Sequence, residues 1–240
     1  MVAKEIKIPD IDTRLAEFIG VHIGDGTLTP NLLRISGNKL YDYHYFLYLQ
    51  RLVLDLFGLK ASILFDRRRF NQRNTILLSI PSKKLAEFMH DVLGMPYGDK
   101  IRGKCRIPKE ILRDDELTFA CLRGLVDTDG SISRRDNYMC LSFDSHNPIL
   151  LDQVWKIGNG IGIFTYRFKN QIGTNSWPRI VTYYKIIGSS NLSYIIRFSE
   201  KLYNNRRLYK TEVVNYFDMY KNKRLPFKIR ARGLVAMTSA

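Results

Sequence analysis

"FIGVHIGDG" occupies Phe18–Gly26, and a similar stretch, "LRGLVDTDG", occupies Leu122–Gly130. Each is an apolar run with helical spacing that ends in an acid followed by glycine. A helix C-terminus carries partial negative charge and favours Lys, Arg or His, so Asp25 and Asp129 stand at the unfavourable end. Local rules fail most often at functional sites. One Asp-Gly pair alone would also fit an ordinary turn, but two matched pairs favour a function for the acids.

The two motifs belong to a repeat that spans the chain. Strand-like stretches follow each motif, at 27–39 and 131–147, and an amphipathic helix ending in glycine follows each of those. A hairpin comes next in each half. The second hairpin is predicted to pair "IGIFTYRFK" with "RIVTYYKII" across a longer loop. The pattern predicts an α+β protein with two αββαββα halves, residues 1–110 and 111–240.

Each half ends in the same way. A second helix is predicted over 80–94 and again over 187–203, with Ser82 and Ser189 as N-caps. "GKCRIP" at 103–108 then corresponds to "NKRLP" at 222–226.

A stripe of small residues runs along each motif helix. Residues four apart share a helix face, and small side chains let two backbones approach closely. The stripe comprises Ala16, Gly20 and Gly24 in the first helix and Ala120, Gly124 and Thr128 in the second. We therefore expect the two helices to pack side by side about a pseudo-two-fold axis, with Asp25 and Asp129 at the same end.

Two carboxylates and two negative helix ends in one place repel each other. A divalent cation removes that repulsion, and Mg²⁺ suits carboxylate oxygens combined with substrate phosphates. The backbone carbonyls of Gly24 and Thr128 could add ligands. Asp127 corresponds to Ile23 in the first motif, so it is predicted to cap a helix or face solvent instead.

The charge of the chain indicates a polyanionic partner. Lys and Arg number 38 against 23 acids, which gives a net charge of +15 and a pI near 9.8. Such an excess favours nucleic acid, with an inert basic surface or an anionic membrane surface as alternatives. No stretch approaches the roughly 20 apolar residues of a membrane span. The three cysteines are odd in number and form no CxxC pair, which is typical of proteins in a reducing, intracellular compartment. The same pattern argues against a disulfide framework and against a zinc site.

The two motifs resemble those of the LAGLIDADG homing endonucleases. "LRGLVDTDG" matches the nine-residue signature closely, and "FIGVHIGDG" is similar to a diverged form in archaeal and intein-borne members. The resemblance runs from about residue 10 to residue 230. It implies two sheets that form a DNA-binding saddle, with the motif helices packed at the interface of a single-chain, pseudo-dimeric monomer. The ends of the chain are similar to those of a free-standing or intron-encoded enzyme rather than an intein.

The resemblance also implies an activity. Asp25 and Asp129 would bind Mg²⁺, or another divalent cation, near the scissile phosphates of a long, asymmetric duplex DNA site. Both strands would be cut across the minor groove, leaving short 3′ overhangs, in the cytoplasm of a prokaryote or in an organelle. Lys223 matches the family's lysine in "NKRLP". In the first half Cys105 holds the equivalent position, so Lys104 qualifies only after a one-residue shift.

Polar residues predicted on strands are the candidates for reading bases in the major groove, and each could instead contact phosphate or solvent. They are Arg34, Asn38, Arg67, Arg69, Arg73, Arg134, Arg135, Arg167, Lys169, Arg179 and Lys185. Two other functions fit the same scaffold. One is an RNA maturase that helps an intron splice and so binds intron RNA. The other is a DNA-binding regulator that cuts nothing.

Overall fold

The computed structural model describes residues 6–65 and 74–221, and its elements follow the predicted repeat. The first half contains α1 (Thr13–Asp25), β1 (Gly26–Thr29), β2 (Leu32–Asn38), α2 (Lys39–Phe57), β3 (Ser62–Phe65), β4 (Thr75–Pro81) and α3 (Lys83–Glu87), which a π-helical turn extends over Phe88–Val92. The second begins with a 3₁₀ turn (Ile111–Arg113). It continues with α4 (Asp115–Asp129), β5 (Gly130–Arg135), β6 (Tyr138–Asp144), α5 (Pro148–Gly160), β7 (Tyr166–Phe168), β8 (Gln171–Thr174), α6 (Trp177–Ile186), α7 (Leu192–Asn204) and α8 (Val214–Lys221).

Each half forms one four-stranded antiparallel sheet, and the two sheets have the same strand order. The first is β1-β2-β4-β3 and the second is β5-β6-β8-β7. Alternate residues of a strand face opposite sides, so Leu33 and Ile35 of β2 are buried while Arg34 is exposed. The first sheet therefore has one face in the core and one more open face, whereas β6 in the second sheet is buried at five consecutive positions, from Met139 to Phe143. This confirms the predicted α+β fold.

The motif helices α1 and α4 pack against each other in the centre of the molecule. A Cβ added to Gly20 would overlap the backbone carbonyl of Cys121, and one added to Gly124 would overlap the carbonyl of Glu17. The predicted small-residue stripe is thus the contact surface. Beside it, Arg123 of α4 forms a 2.7 Å ion pair with the buried carboxylate of Glu17, which also accepts a 3.0 Å hydrogen bond from Tyr48.

The second hairpin differs from the prediction. The strand expected over "RIVTYYKII" is the helix α6, and β7 and β8 are joined by a two-residue turn at Lys169 and Asn170. Three residues in that stretch are buried at spacings of three and four, Ile180, Tyr183 and Ile187. That spacing is helical rather than alternating, and Pro178 suits the first turn of a helix.

The helix caps confirm one prediction and correct another. Ser82 caps α3 by accepting a 3.2 Å hydrogen bond from the Leu85 N–H. Ser189 is not a cap, because α7 starts only at Leu192 and Asn191 caps it by accepting from the Ser193 N–H. Among the helices of the described residues, none combines the length and the apolar character that crossing a bilayer requires.

Candidate active site

The two motif acids lie where a helix passes directly into a strand. Helix α1 ends at Asp25 and β1 starts at Gly26, while α4 ends at Asp129 and β5 starts at Gly130. Both glycines have extended backbone and donate their N–H to a carbonyl of the preceding helix turn. The chain therefore leaves each helix without a loop, which holds each carboxylate at the junction of the helix pair and its sheet.

Packing of the helices brings these two ends together. The carboxyl carbon of Asp129 lies 3.6 Å from the position that a Cβ on Gly24 would take. Burial, together with the nearby charge of Asp129, raises the pKa of Asp25 to about 7. Burial likewise raises the pKa of Asp129 to about 6. The structure thus confirms the predicted meeting of the two acids and the electrostatic cost that goes with it.

A lysine that the sequence analysis missed lies against the same site. Lys100 donates hydrogen bonds to the last carbonyls of α1, to Ile23 at 2.7 Å and to Gly24. Its charge holds down the pKa values of both Asp25 and Asp129. Burial lowers the pKa of Lys100 itself, and the two acids oppose that effect. The first half therefore brings a cation to the acids, but from a position four residues before the predicted one.

The predicted lysines have other placements. Lys104 is exposed, in a loop where its own backbone is left-handed at φ 49°. Cys105, the strictly equivalent position, is buried. Lys223 lies outside the described residues. No periodic pattern runs through the loop "DKIRGKC", so the sequence offers no signal that separates Lys100 from Lys104.

Gly24 and Thr128, whose backbone carbonyls are the predicted additional ligands, both lie at the site and both take part in other hydrogen bonds. The Gly24 carbonyl accepts from Lys100. The Thr128 hydroxyl donates 2.9 Å hydrogen bonds to the carbonyls of Gly124 and Leu125. A side chain on Gly24 would overlap that hydroxyl, so glycine is required there for the helix ends to meet.

Asp127, which corresponds to Ile23 in the first motif, has the first of the two predicted roles, helix capping. Its buried carboxylate accepts hydrogen bonds from the backbone N–H of Ser190 at 2.6 Å and of Asn191 at 3.2 Å, and from the Ser189 hydroxyl at 2.5 Å. These groups precede α7. Burial raises the pKa of Asp127 to about 7, and the hydrogen bonds from Ser189 and Ser190 oppose that rise. Asp127 thus fixes the start of α7 beside the motif helices.

Two further acids adjoin the site, and the sequence analysis singled out neither. Asp42 in the first turn of α2 accepts hydrogen bonds from the Asn38 N–H at 2.8 Å and from the Asn191 side chain at 3.2 Å, and its charge raises the pKa of Asp25. It lines a cavity of about 100 Å³ together with Asp25 and Asp127. Asp144, at the end of β6, raises the pKa of Asp129.

Six of the eleven predicted base readers fall into three groups. Arg34 is exposed on the face of β2 opposite to Leu33 and Ile35, and Arg135 is exposed at the end of β5, on the face opposite to Arg134. Asn38 is the N-cap of α2, and its side chain accepts from the Leu40 N–H. Arg67, Arg69 and Arg73 lie outside the described residues.

The remaining candidates are not on an open sheet face. The guanidinium of Arg134 lies 4.1 Å from the ring centre of Tyr209, and Arg167 forms a 3.1 Å ion pair with Asp152 of α5. Lys169 occupies the β7–β8 turn. Arg179 and Lys185 belong to α6, so their predicted placement on a strand is wrong. Arg179 donates to the Gly162 carbonyl instead.

The donor set suits a hard divalent cation. The groups that converge are two carboxylates and helix-end carbonyls, all oxygen, which is the ligand type that Mg²⁺ prefers. The same carbonyls already accept hydrogen bonds from the Lys100 ammonium, so this corner of the protein attracts positive charge. Within residues 6–65 and 74–221, no three His, Cys, Asp or Glu side chains cluster closely enough to enclose a metal.

Comparison with known proteins agrees with this architecture. A model for a LAGLIDADG-like domain matches residues 116–202. Over 129 residues the chain is 35% identical to a subunit of the A-type ATP synthase of Pyrococcus abyssi, a match that covers 53% of this chain and 12% of that protein. The chain thus corresponds to about an eighth of the length of that relative.

Solved structures share the fold at low sequence identity. I-DmoI in complex with DNA and Mn is 18% identical with a TM-score of 0.50, covering 75% of this chain and 98% of that one. I-DmoI with DNA and Ca also gives 18% and 0.50, covering 75% and 91%. Full-length DUF199/WhiA from Thermatoga maritima gives 15% and 0.48, covering 89% and 68%. The chain thus contains a match to a LAGLIDADG-like domain over residues 116–202 and shares the fold of the I-DmoI structures.

Proposed function

We propose that this protein is a site-specific, divalent-metal-dependent endonuclease that cuts both strands of a long duplex DNA target. One observation carries the proposal. Asp25 and Asp129 meet at the joined ends of α1 and α4, although burial raises the pKa values of both and the charge of Asp129 adds to the rise at Asp25. Such an arrangement destabilises the folded protein. A role in holding a divalent cation against a phosphate group would explain why the acids are placed there.

Charge and shape support DNA as the substrate. The net charge of +15 favours a polyanion, and the exposed strand residues include Arg34 and Arg135. A sheet face with polar side chains can reach base edges in the major groove. The I-DmoI structures that share this fold contain DNA with Mn or Ca. The finer expectations belong to the same proposal: cleavage across the minor groove, short 3′ overhangs, a monomeric enzyme and a role in intron homing inside the cell.

The described residues divide the work as follows. Asp25 and Asp129 would hold the divalent ions, and helix-end carbonyls such as those of Gly24 and Thr128 would orient around them. A metal ion bound there supplies an activated water and neutralises charge on the phosphate. The Lys100 ammonium, which donates hydrogen bonds to the carbonyls at the end of α1, would stabilise negative charge that develops on the phosphate oxygens. Lys104 and Lys223 remain candidates for the same role, on the sequence pattern alone.

The test is cleavage of a plasmid library that carries randomised and candidate intron-insertion sequences, with Mg²⁺ and with EDTA, followed by sequencing of the cut ends. We expect Mg²⁺-dependent cuts within one long site, with short 3′ overhangs. The double variant Asp25→Asn/Asp129→Asn should leave the library intact. Tight binding to a recovered site without cleavage under any divalent metal would instead indicate the regulator. Preferred binding to intron RNA would indicate the maturase.

A further inference from the structure

The surface of α2 carries a groove that the active site does not use. Its volume is about 400 Å³, and it lies between α2, the end of β3 and α8. Aromatic rings make up much of its wall. Tyr43 stacks on Phe65 with ring centres 6.3 Å apart, and His44 lies 4.8 Å from the ring of Phe217. Lys39 and Leu40 complete the wall on the α2 side.

The equivalent surface in the second half holds a defined segment of the chain. There α5 takes the place of α2, and the "CRIP" segment from the end of the first half lies against it. The Asn147 side chain, the N-cap of α5, donates a 2.6 Å hydrogen bond to the Cys105 carbonyl. Six residues later, Gln153 accepts a 2.9 Å hydrogen bond from the Ile107 N–H and donates to the Ile107 carbonyl. Ile107 is fully buried.

The repeat places corresponding residues on α2. Asn38 is the N-cap of α2 as Asn147 is of α5, and His44 follows six residues later, at the position of Gln153. An imidazole, like an amide, can donate and accept hydrogen bonds with a peptide group. The groove at Lys39–His44 is therefore the counterpart of the surface that binds Ile107.

The chain also supplies a counterpart of the bound segment. "KRLP" at 223–226 corresponds to "CRIP" at 105–108, which aligns Leu225 with Ile107. It follows directly after α8, whose residues Val214 and Phe217 line the groove. From Phe217, eight residues lead to Leu225. At 1.5 Å per residue in a helix and about 3.3 Å beyond it, that length lets the chain turn back to the groove.

We propose that residues 223–226 of this same chain bind in the α2 groove, with Leu225 filling the apolar space and its peptide group facing His44. The two halves would then exchange equivalent segments. Residues 105–108 at the end of the first half pack on α5 of the second half, and residues 223–226 at the end of the second half would pack on α2 of the first half. The proposal concerns packing and does not depend on nuclease activity. The Cys105 N–H donates a 2.9 Å hydrogen bond to the carbonyl of Lys100, whose ammonium lies beside the motif acids. The same correspondence would thus bring Lys223, the predicted lysine of the second half, toward the motif acids.

Disulfide trapping in the full-length chain tests the proposal. The double variant His44→Cys/Leu225→Cys should form a disulfide under mild oxidation, which peptide mapping by mass spectrometry would locate. The control His44→Cys/Ser239→Cys carries the second thiol beyond the repeat and should cross-link at least tenfold more slowly. Labelling with a maleimide before oxidation shows that both introduced thiols are accessible. Equal cross-linking in the two variants, or none in the first, would overturn the proposal.

Hydrogen exchange provides a second readout that needs no cross-link. Leu225→Asp should raise the exchange rate of amides in the first three turns of α2 and lower the melting temperature. The matched substitution Leu234→Asp should change neither. If the two variants exchange alike over residues 39–50, another segment or solvent covers the groove and the proposal fails.

Discussion

The ammonium group of Lys100 lies 2.7 Å from the backbone carbonyl oxygen of Ile23 in the last turn of α1. A helix C-terminus favours a cation, and neither motif has Lys or Arg in its last turn. The structure supplies that cation from a loop more than 70 residues later in the chain. Lys100 thus stabilises the end of α1, which carries an acid and has no Lys or Arg of its own in the last turn, and it lies beside two buried carboxylates.

Lys100→Met should lower the rate of DNA cleavage by about 10²-fold, because it removes a positioned charge from the site where negative charge develops. Lys104→Met should have little effect, since the Lys104 side chain is exposed. Both variants would be compared by plasmid linearisation at the recovered target, with binding followed separately by gel shift. The reverse order of effects would return the role to Lys104.

Asp129→Asn should abolish double-strand cleavage and leave much of the DNA affinity, and Asp25→Asn should do the same. Each change removes one carboxylate ligand but keeps the shape of the side chain. Gel analysis of supercoiled plasmid separates nicked from linear product, and a filter-binding titration measures affinity. The exposed Asp55→Asn is a suitable control. A variant at either motif acid that still linearised plasmid at the normal rate would refute the assignment.

The metal-free protein should lose stability as pH rises from about 4 to about 7. Burial raises the folded-state pKa of Asp25 to about 7 and of Asp129 to about 6, above the value of 3.8 for a free carboxyl. The folded protein therefore holds protons that the unfolded chain has released, and raising the pH removes that advantage.

Melting temperatures measured in EDTA across this range would show the decline. Asp25→Asn should reduce it, and Mg²⁺ should restore more stability at pH 8 than at pH 5. A wild-type profile that stays flat between pH 4 and 7 would contradict the raised pKa values.

Asp127→Ala should destabilise the fold by about 2–3 kcal/mol, because it leaves buried N–H groups at the start of α7 without their acceptor. Urea unfolding measures the change. Asp136→Ala, in an exposed turn between β5 and β6, should stay within about 0.5 kcal/mol of the wild type. Equal effects of the two substitutions would rule out the capping role.

Gly124→Ala should disrupt the contact between α1 and α4, since the added methyl would overlap the Glu17 carbonyl. We expect a loss of at least about 2 kcal/mol, in the range of overpacked cores. Gly160→Ala is the matched control, because its Cβ would meet no atom within 4 Å. Thermal unfolding of both variants distinguishes close helix packing from a general intolerance of alanine.

The repeat, the α+β fold and the two motif acids can all be predicted from the amino-acid sequence. These rest on local patterns: small residues at every fourth position, alternation along β2, and an acid at each helix end. A helix face and a strand face follow directly from such spacing. The same logic failed at "RIVTYYKII", where an apparent apolar–polar alternation predicted a strand although Ile180, Tyr183 and Ile187 have helical spacing.

The groups that surround the two acids come together only when the chain is folded. Lys100, Asp42 and Asp144 come from a loop, a helix start and a strand end, and no local periodicity connects any of them to Asp25 or Asp129. Their roles depend on distance in space, because burial and charge act over a few ångströms whatever the separation along the chain. Sequence spacing could therefore place the two carboxylates together, while the electrostatic environment that surrounds them emerged only from packing.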